Sequence, residues 1–264
     1  MMLIDVNAYL GHFAFRRLRH NTAEGLMRLM DKHGIDRAIV SSASAITYRN
    51  AQSGNEELFE EVKGHTDRLI PFAVINPTYS DWLHDLRVCH DDFGMRGVRM
   101  YPRWHGYSLR DGGARELVHA ATELRMIVSI PVRVEDPRQR HWLLDVPDVP
   151  LDEIAGLIRA YPEARFMILE GIRFTSSPLG RKGGDLPGSY LIEISRLTAL
   201  LHAEMRQLIE NVGVERLAFG TGMPFKYPAP ALLKIEVLDA DEEEKEAIRW
   251  RNAAEMLEWS GVTL

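Results

Sequence analysis

The chain predicts a single-domain α/β protein of the (β/α)8 TIM-barrel class, spanning residues 1–264. Short β-branched runs alternate with amphipathic helical stretches from end to end, a pattern that calls for parallel strands joined by crossover helices. The alternation recurs eight times in 264 residues, the usual size of such a barrel. No Gly-x-Gly-x-x-Gly turn follows the first strand, which removes the main signature of the rival open, doubly wound sheet.

Strands are expected at residues 3–7, 37–42, 69–75, 97–101, 127–134, 165–170, 190–195 and 216–221. Amphipathic helices are expected at 22–33, 55–65, 81–93, 114–124, 151–161 and 200–212. Ser80 or Asp81 can cap the third of these, after Asn76-Pro77. Asp241 with Glu244 three residues on forms a capping box that opens the last helix, which runs to about Leu257. Pro147-Asp148-Val149-Pro150 reads as a stiff loop, and residues 171–188 as either a basic lid or a crossover without a full helix.

Composition excludes several classes. The net charge of −6 is spread along the chain with basic and acidic residues interleaved, so no footprint for nucleic acid appears. No run of about 18 apolar residues exists for a membrane span. The start has no signal-like pattern, and cytoplasmic residence is the expectation. Cys89, the single cysteine, is expected to be a buried or inert thiol.

Alternation along each strand assigns the side chains. On the fifth, Val128, Ile130, Val132 and Val134 are expected to face the helices, and Ser129, Arg133 and Glu135 the interior. The same parity turns Asp5, Asn7 and Tyr9 inward on the first strand, Arg99 and Tyr101 on the fourth, Glu193 on the seventh and Glu170 at the tip of the sixth. Buried charges need partners, and Arg99 and Arg133 are the expected ones for the inward carboxylates. Such pairs either hold an anionic ligand or only plug the barrel.

Two end segments carry a resemblance. Leu3-Ile4-Asp5-Val6-Asn7-Ala8-Tyr9 and Phe219-Gly220-Thr221-Gly222-Met223-Pro224-Phe225 are similar to the first and last strands of the amidohydrolase-related family of barrel hydrolases and decarboxylases. Gly94-Met95-Arg96-Gly97-Val98-Arg99-Met100-Tyr101-Pro102 resembles a middle strand of that family, so the likeness covers nearly the whole chain. The family pattern places two histidines where Asn7 and Tyr9 stand, and an aspartate where Gly222 stands. The resemblance therefore implies the barrel, and a zinc-like ion whose usual ligands are largely replaced. No cofactor is expected, and the route left to a divalent metal runs through Glu135, Asp136, His141 and Glu170.

The reaction that the resemblance implies is hydrolysis of a C–N or C–O bond, or non-oxidative decarboxylation, in a small and carboxylated molecule. Glu135 or Asp136 is the expected acid/base and His141 the proton carrier, all in the loop after the fifth strand where barrel enzymes build their sites. Asn7, Tyr9, Arg99, Tyr101, His105, Arg133, Arg138, Glu170 and Arg173 are the expected substrate-binding residues. The rival is a non-catalytic metabolite-binding protein with an arginine/carboxylate pocket. Apart from a small molecule, the partner expected is a second copy, because such barrels often pair through their helices.

Overall fold

A computed structural model describes residues 2–184, 186–188 and 190–264. Eight parallel strands lie in the order β1 to β8: Ile4–Leu10, Arg37–Ser42, Leu69–Val74, Gly97–Arg99, Ile127–Pro131, Phe166–Leu169, Tyr190–Glu193 and Leu217–Ala218. Backbone bonds from Val6 N to Phe219 O (3.0 Å), Gly222 N to Asn7 O (2.8 Å) and Tyr9 N to Met223 O (2.9 Å) join β1 to the chain beyond β8, rounding the sheet into a barrel. The connecting helices are α1 Ala23–His33, α2 Ala51–Val62, α3 Trp82–Arg87, α4 Gly112–Glu123, α5 Leu151–Ala160 and α6 Glu204–Val212. After β8 come α7 Ala229–Glu236, α8 Glu242–Glu246 and α9 Asn252–Trp259.

Local chemistry accounts for the ends of these elements. Thr22 accepts from Gly25 N to cap α1, and Gly34 in the left-handed region stops it. Asp241 and Glu244 form the expected capping box on α8. Asp81 sits at the N-cap of α3 without a side-chain cap bond, and the helix widens into a π turn at Val88–Asp92. Between β6 and β7 the described residues hold one 3-10 turn, Phe174–Ser176, so the crossover lacks a full helix. The stretch Ala229–Glu236, which is not among the expected helices, forms α7 with Pro230 in its first turn.

Two apolar layers flank the strands. Val128, Ile130 and Val132 pack outward in the layer shared with α4 and α5, as parity requires. Inside the barrel, Ile4, Val6, Ile39, Ile70, Phe72, Ile127, Met167, Leu169 and Leu191 form a floor, covered by Ala253, Met256 and Leu257 of α9. Phe72 fills the space opposite Gly97, where an added Cβ would lie 2.3 Å from its ring.

Parity fails in two places, each for a visible reason. The β1–β2 register slips between Asp5 and Ala8, so one extra residue in β1 lets Ile4 and Val6 join the floor while Asn7 and Tyr9 still reach the mouth. β5 ends at Pro131, and Val134 leaves the helix layer for an aromatic cluster with Tyr9, Phe13, Tyr101 and Phe225. β8 is also shorter than expected. Phe219 N donates to Ile248 O, and Thr221 gives its N–H and hydroxyl to Asp5 (3.0 and 2.5 Å), so neither continues the β7 ladder.

Candidate functional site

Arg99 is fully buried, and a guanidinium there costs several kcal/mol unless its donors are used. The β1 bulge supplies the acceptors. Nη2 donates to Val6 O (3.3 Å), Nη1 to Ala8 O (3.2 Å) and Asn7 Oδ1 (3.4 Å), and Nε to Ser129 Oγ (3.1 Å). The guanidinium also lies over the Tyr9 ring, 5.0 Å from its centroid. Among the described residues, no carboxylate forms an ion pair with it, contrary to the expected Arg99–carboxylate pair. Above it, Tyr9, Tyr101 and Ser41 bring their hydroxyls together without reaching hydrogen-bond geometry, and burial raises both phenol pKa values.

Glu170 is the hub of the mouth. Its carboxylate is almost fully buried, with Oε1 accepting from Asn7 Nδ2 (2.9 Å) and Oε2 from Arg196 Nε (2.6 Å) and Lys226 Nζ (2.7 Å). Gly222 makes this possible. A Cβ there would stand 2.4 Å from Glu170 Oε1 and 2.6 Å from Lys226 Cε, and its φ of +72° suits glycine. Glu170 itself has φ +58°, a left-handed conformation costing a non-glycine residue about 1 kcal/mol or more. Its backbone N–H is held there by Glu193 Oε2 at 2.9 Å.

Glu193 also fixes the next residue of interest. Its Oε1 accepts from Ser195 N at 2.7 Å, while Lys234 of α7 donates to the Ser195 carbonyl. Lys226 Nζ contacts Ser195 Oγ at 2.6 Å. Ser195 is thus held through its amide, its carbonyl and its hydroxyl by three different side chains. Burial raises the Glu193 carboxyl and, for Lys234, lowers the ammonium to about 8.

Ser195, Arg196 and Lys226 line an open cleft of about 480 Å³ with Arg133, Asp136, Arg138 and Ile172. Its lining brings four cationic side chains together with Asp136, while Glu170 and Asp148 pair with them from behind, which leaves the cleft one positive charge in excess. Beside it, Phe13, Phe225, Trp104 and Tyr9 stack edge to face, with Phe13 5.0 Å from Phe225 and 5.8 Å from Trp104. Arg16 bolts this cap down, donating to Phe225 O (3.1 Å) and pairing with Glu135 (3.3 Å).

The expected site residues divide between these regions. Asn7, Tyr9, Arg99, Tyr101 and Glu170 gather at the barrel mouth, and Arg133 and Arg138 border the cleft. Arg133, however, pairs with Asp148 of the following loop and not with an inward carboxylate, because β5 ends before it. The cations that meet the inward carboxylate are Arg196 and Lys226. Asp136 is gripped by Arg138 (2.9 and 3.0 Å) and Arg196 (3.2 Å), which holds its carboxyl well below the usual range. Burial raises Glu135. His141 stacks on Trp142 and faces Phe15, His105 Nε2 lies 3.2 Å from Ala45 O, and Arg173 is exposed. Among the described residues no three acidic, histidine or cysteine side chains stand together as a metal-binding group, so Glu135, Asp136, His141 and Glu170 do not converge.

Ser195, Arg196, Lys226 and Lys234 escaped the sequence reading. A signal existed for two of them: Ser195 stands two residues after the inward Glu193, on the same face by parity, and Arg196 follows it at the strand's carboxyl end.

No curated protein matches the chain. Among solved structures, 2,6-dihydroxybenzoate decarboxylase from Rhizobium is similar, at 18% identity over 98% of this chain and 99% of that one, with TM-score 0.76. A dihydroxybenzoic acid decarboxylase from Polaromonas sp., with bound manganese and 2-nitroresorcinol, is 17% identical over 97% of both chains, TM-score 0.74. A probable 2-pyrone-4,6-dicarboxylic acid hydrolase from Acinetobacter baumannii, with citric acid bound, is 15% identical over 99% of this chain and 100% of that one, TM-score 0.66. The model of one family, described as Amidohydrolase, matches residues 15–259. With that match over nearly the whole barrel, the chain belongs to the amidohydrolase family.

Proposed function

We propose that this chain is an enzyme acting on a small carboxylated molecule, held in the cleft by Arg133, Arg138, Arg196 and Lys226. The reaction is cleavage of a C–O or C–N bond in that molecule, or loss of its carboxyl group. The observation that carries the reading is the cleft itself: four cations at the carboxyl ends of the strands, where barrel sites form. Family membership and the relatives, decarboxylases of dihydroxybenzoates and a hydrolase of a dicarboxylic acid, support the same substrate class.

In this reading each side chain has a distinct task. Arg138, whose side chain is 88% exposed, meets the substrate carboxylate first, and Arg133 with its unpaired, buried Nε fixes the anion's orientation. Asp136 keeps Arg138 and Arg196 in place, and Glu135, paired with Arg16 and beside Arg133 at the edge of the cleft, remains the candidate acid/base. Phe13, Trp104 and Phe225 keep water from one side.

The residues present do not fit the family's metal. Asn7 and Tyr9 are weak ligands, Gly222 offers none, and the room for an aspartate there is taken by Glu170 and Lys226. Our reading gives the ion's charge to Lys226 and Arg196. Metal analysis of protein purified without chelator reads this part: trace metal is expected, and stoichiometric zinc or manganese overturns it.

Calorimetry with benzoate, 2,6-dihydroxybenzoate and succinate tests the cleft. Arg138→Ala and Arg133→Met should each weaken binding by about tenfold, or about 1.4 kcal/mol. Unchanged affinity in both variants, or no carboxylate binding at all, contradicts the assignment. Chromatographic product analysis across carboxylated esters, lactones, amides and aromatics then tests turnover; binding without any product would leave a metabolite-binding protein. A cytoplasmic homodimer belongs to the same proposal, and analytical ultracentrifugation measures the assembly.

A further inference from the structure

We infer that Ser195 and Lys226 are a nucleophile and its base, and that the chain cleaves its substrate through an acyl-enzyme on Ser195. The inference rests on the proposed function for its substrate class, a small carboxylated ester, lactone or amide.

Three observations carry it. Ser195 Oγ and Lys226 Nζ are 2.6 Å apart and both line the open cleft, so an acyl carbon can reach the hydroxyl. The lysine is oriented by a third group, Glu170 Oε2 at 2.7 Å, which completes the nucleophile–base–orienter arrangement of covalent hydrolases. Ser195 is also more constrained than a surface serine needs to be, since Glu193 holds its amide and Lys234 its carbonyl.

Lys226 rests as the ammonium paired with Glu170, and it enters the cycle by giving one proton to solvent in the open cleft. The buried carboxylate then still keeps Arg196 at 2.6 Å and Asn7 at 2.9 Å, so no bare charge is left behind. In the reactive form Ser195 donates to Nζ. Oγ bonds to the acyl carbon as its proton passes to Lys226, and the carbonyl electron pair moves onto the acyl oxygen, which the positive field of the cleft favours. The bond to the alcohol or amine then breaks, and that leaving group takes the proton from Lys226. Water repeats the sequence on the acyl-serine, releasing the acid and restoring both side chains.

The test uses the whole chain and a small alkyl fluorophosphonate, whose phosphorus takes the place of the acyl carbon and which needs no carboxylate pocket. Intact-mass spectrometry should show one adduct per chain, mapped to Ser195 and lost in Ser195→Ala. Lys226→Arg keeps a cation beside Glu170 but cannot accept the proton at neutral pH, and it should slow labelling by about 100-fold or more. A lysine that only balances charge predicts unchanged labelling in this variant. Absence of an adduct on the folded wild type, an adduct elsewhere, or wild-type labelling of Lys226→Arg overturns the inference. The p-nitrophenyl monoester of succinic acid separates the two readings: a burst of nitrophenol from Ser195 is expected. Labelling of Ser195 with no succinate binding would sink the substrate class and leave the dyad standing.

Discussion

Returning the family's aspartate to position 222 perturbs the one point where the ligand set and the ion-pair hub compete for space. Gly222 has φ +72°, a conformation that costs a residue with a side chain about 1–2 kcal/mol. An added Cβ would stand 2.4 Å from Glu170 Oε1 and 2.6 Å from Lys226 Cε. The lysine stem can swing away. Glu170 cannot, because Oε1 is fixed by Asn7 and Oε2 by Arg196, and displacing it strands a buried donor at about 1–3 kcal/mol. Gly222→Ala should therefore lose about 2–5 kcal/mol, the sum of these two costs. Gly222→Asp should lose more, since its carboxylate would meet that of Glu170. Urea denaturation followed by circular dichroism measures both, with EDTA and with millimolar manganese. A Gly222→Asp protein as stable as the wild type, or restored to that stability by manganese, would show that the hub is a collapsed metal site and refute the reasoning.

Two further outcomes follow from the buried charges. Burial pushes the Asp5 carboxyl from 3.8 up to about 7, against the hydrogen bonds from Thr221 and Asn7, so the folded chain keeps a proton that the unfolded chain has lost. Its contribution is full below pH 3.8 and falls as pH rises through about 7, a shift of about three units or about 4 kcal/mol. Asp5→Asn should gain up to that much relative to wild type between pH 4 and 8 in urea titrations, and a flat difference would disprove it. Arg99→Met removes the donors that satisfy Val6 O and Ala8 O in the β1 bulge and should cost about 3–5 kcal/mol by the same assay; a loss below about 1 kcal/mol would mean that the carbonyls find other partners.

The barrel was legible because hydrophobic periodicity survives substitution at the site: all eight strands lie within or beside the expected segments. Parity failed where the backbone broke its period, at the β1 bulge and beyond Pro131, and neither event has a local signature in the chain. Inward placement of Asn7, Arg99 and Glu170 was readable from strand alternation. Their partners were not. Arg99 was assigned a carboxylate on charge alone, whereas the bulge offers it carbonyls, and Lys226 lies on a loop whose return to Glu170 depends on the chain after Gly222. The alternative ligands Glu135, Asp136 and His141 share one loop in sequence, yet each is drawn to a different neighbour: Arg16, Arg138 with Arg196, and Trp142.

The two glycines of Phe219-Gly220-Thr221-Gly222 connect the altered ligand position to the serine. A Cβ on Gly220 would lie 2.4 Å from Glu193 Cγ, just as one on Gly222 would strike Glu170. Each glycine makes room for one carboxylate, and the two carboxylates hold the two ends of the dyad: Glu193 fixes the Ser195 amide and Glu170 orients the Lys226 ammonium. The two are also linked, since the Glu193 carboxylate accepts from the strained backbone N–H of Glu170. An aspartate at 222 would therefore displace the lysine at the same moment as it supplied a metal ligand. In our reading the cation site and the Ser195–Lys226 pair exclude one another, so the glycine at 222 belongs to a change of chemistry and not merely to a loss of it.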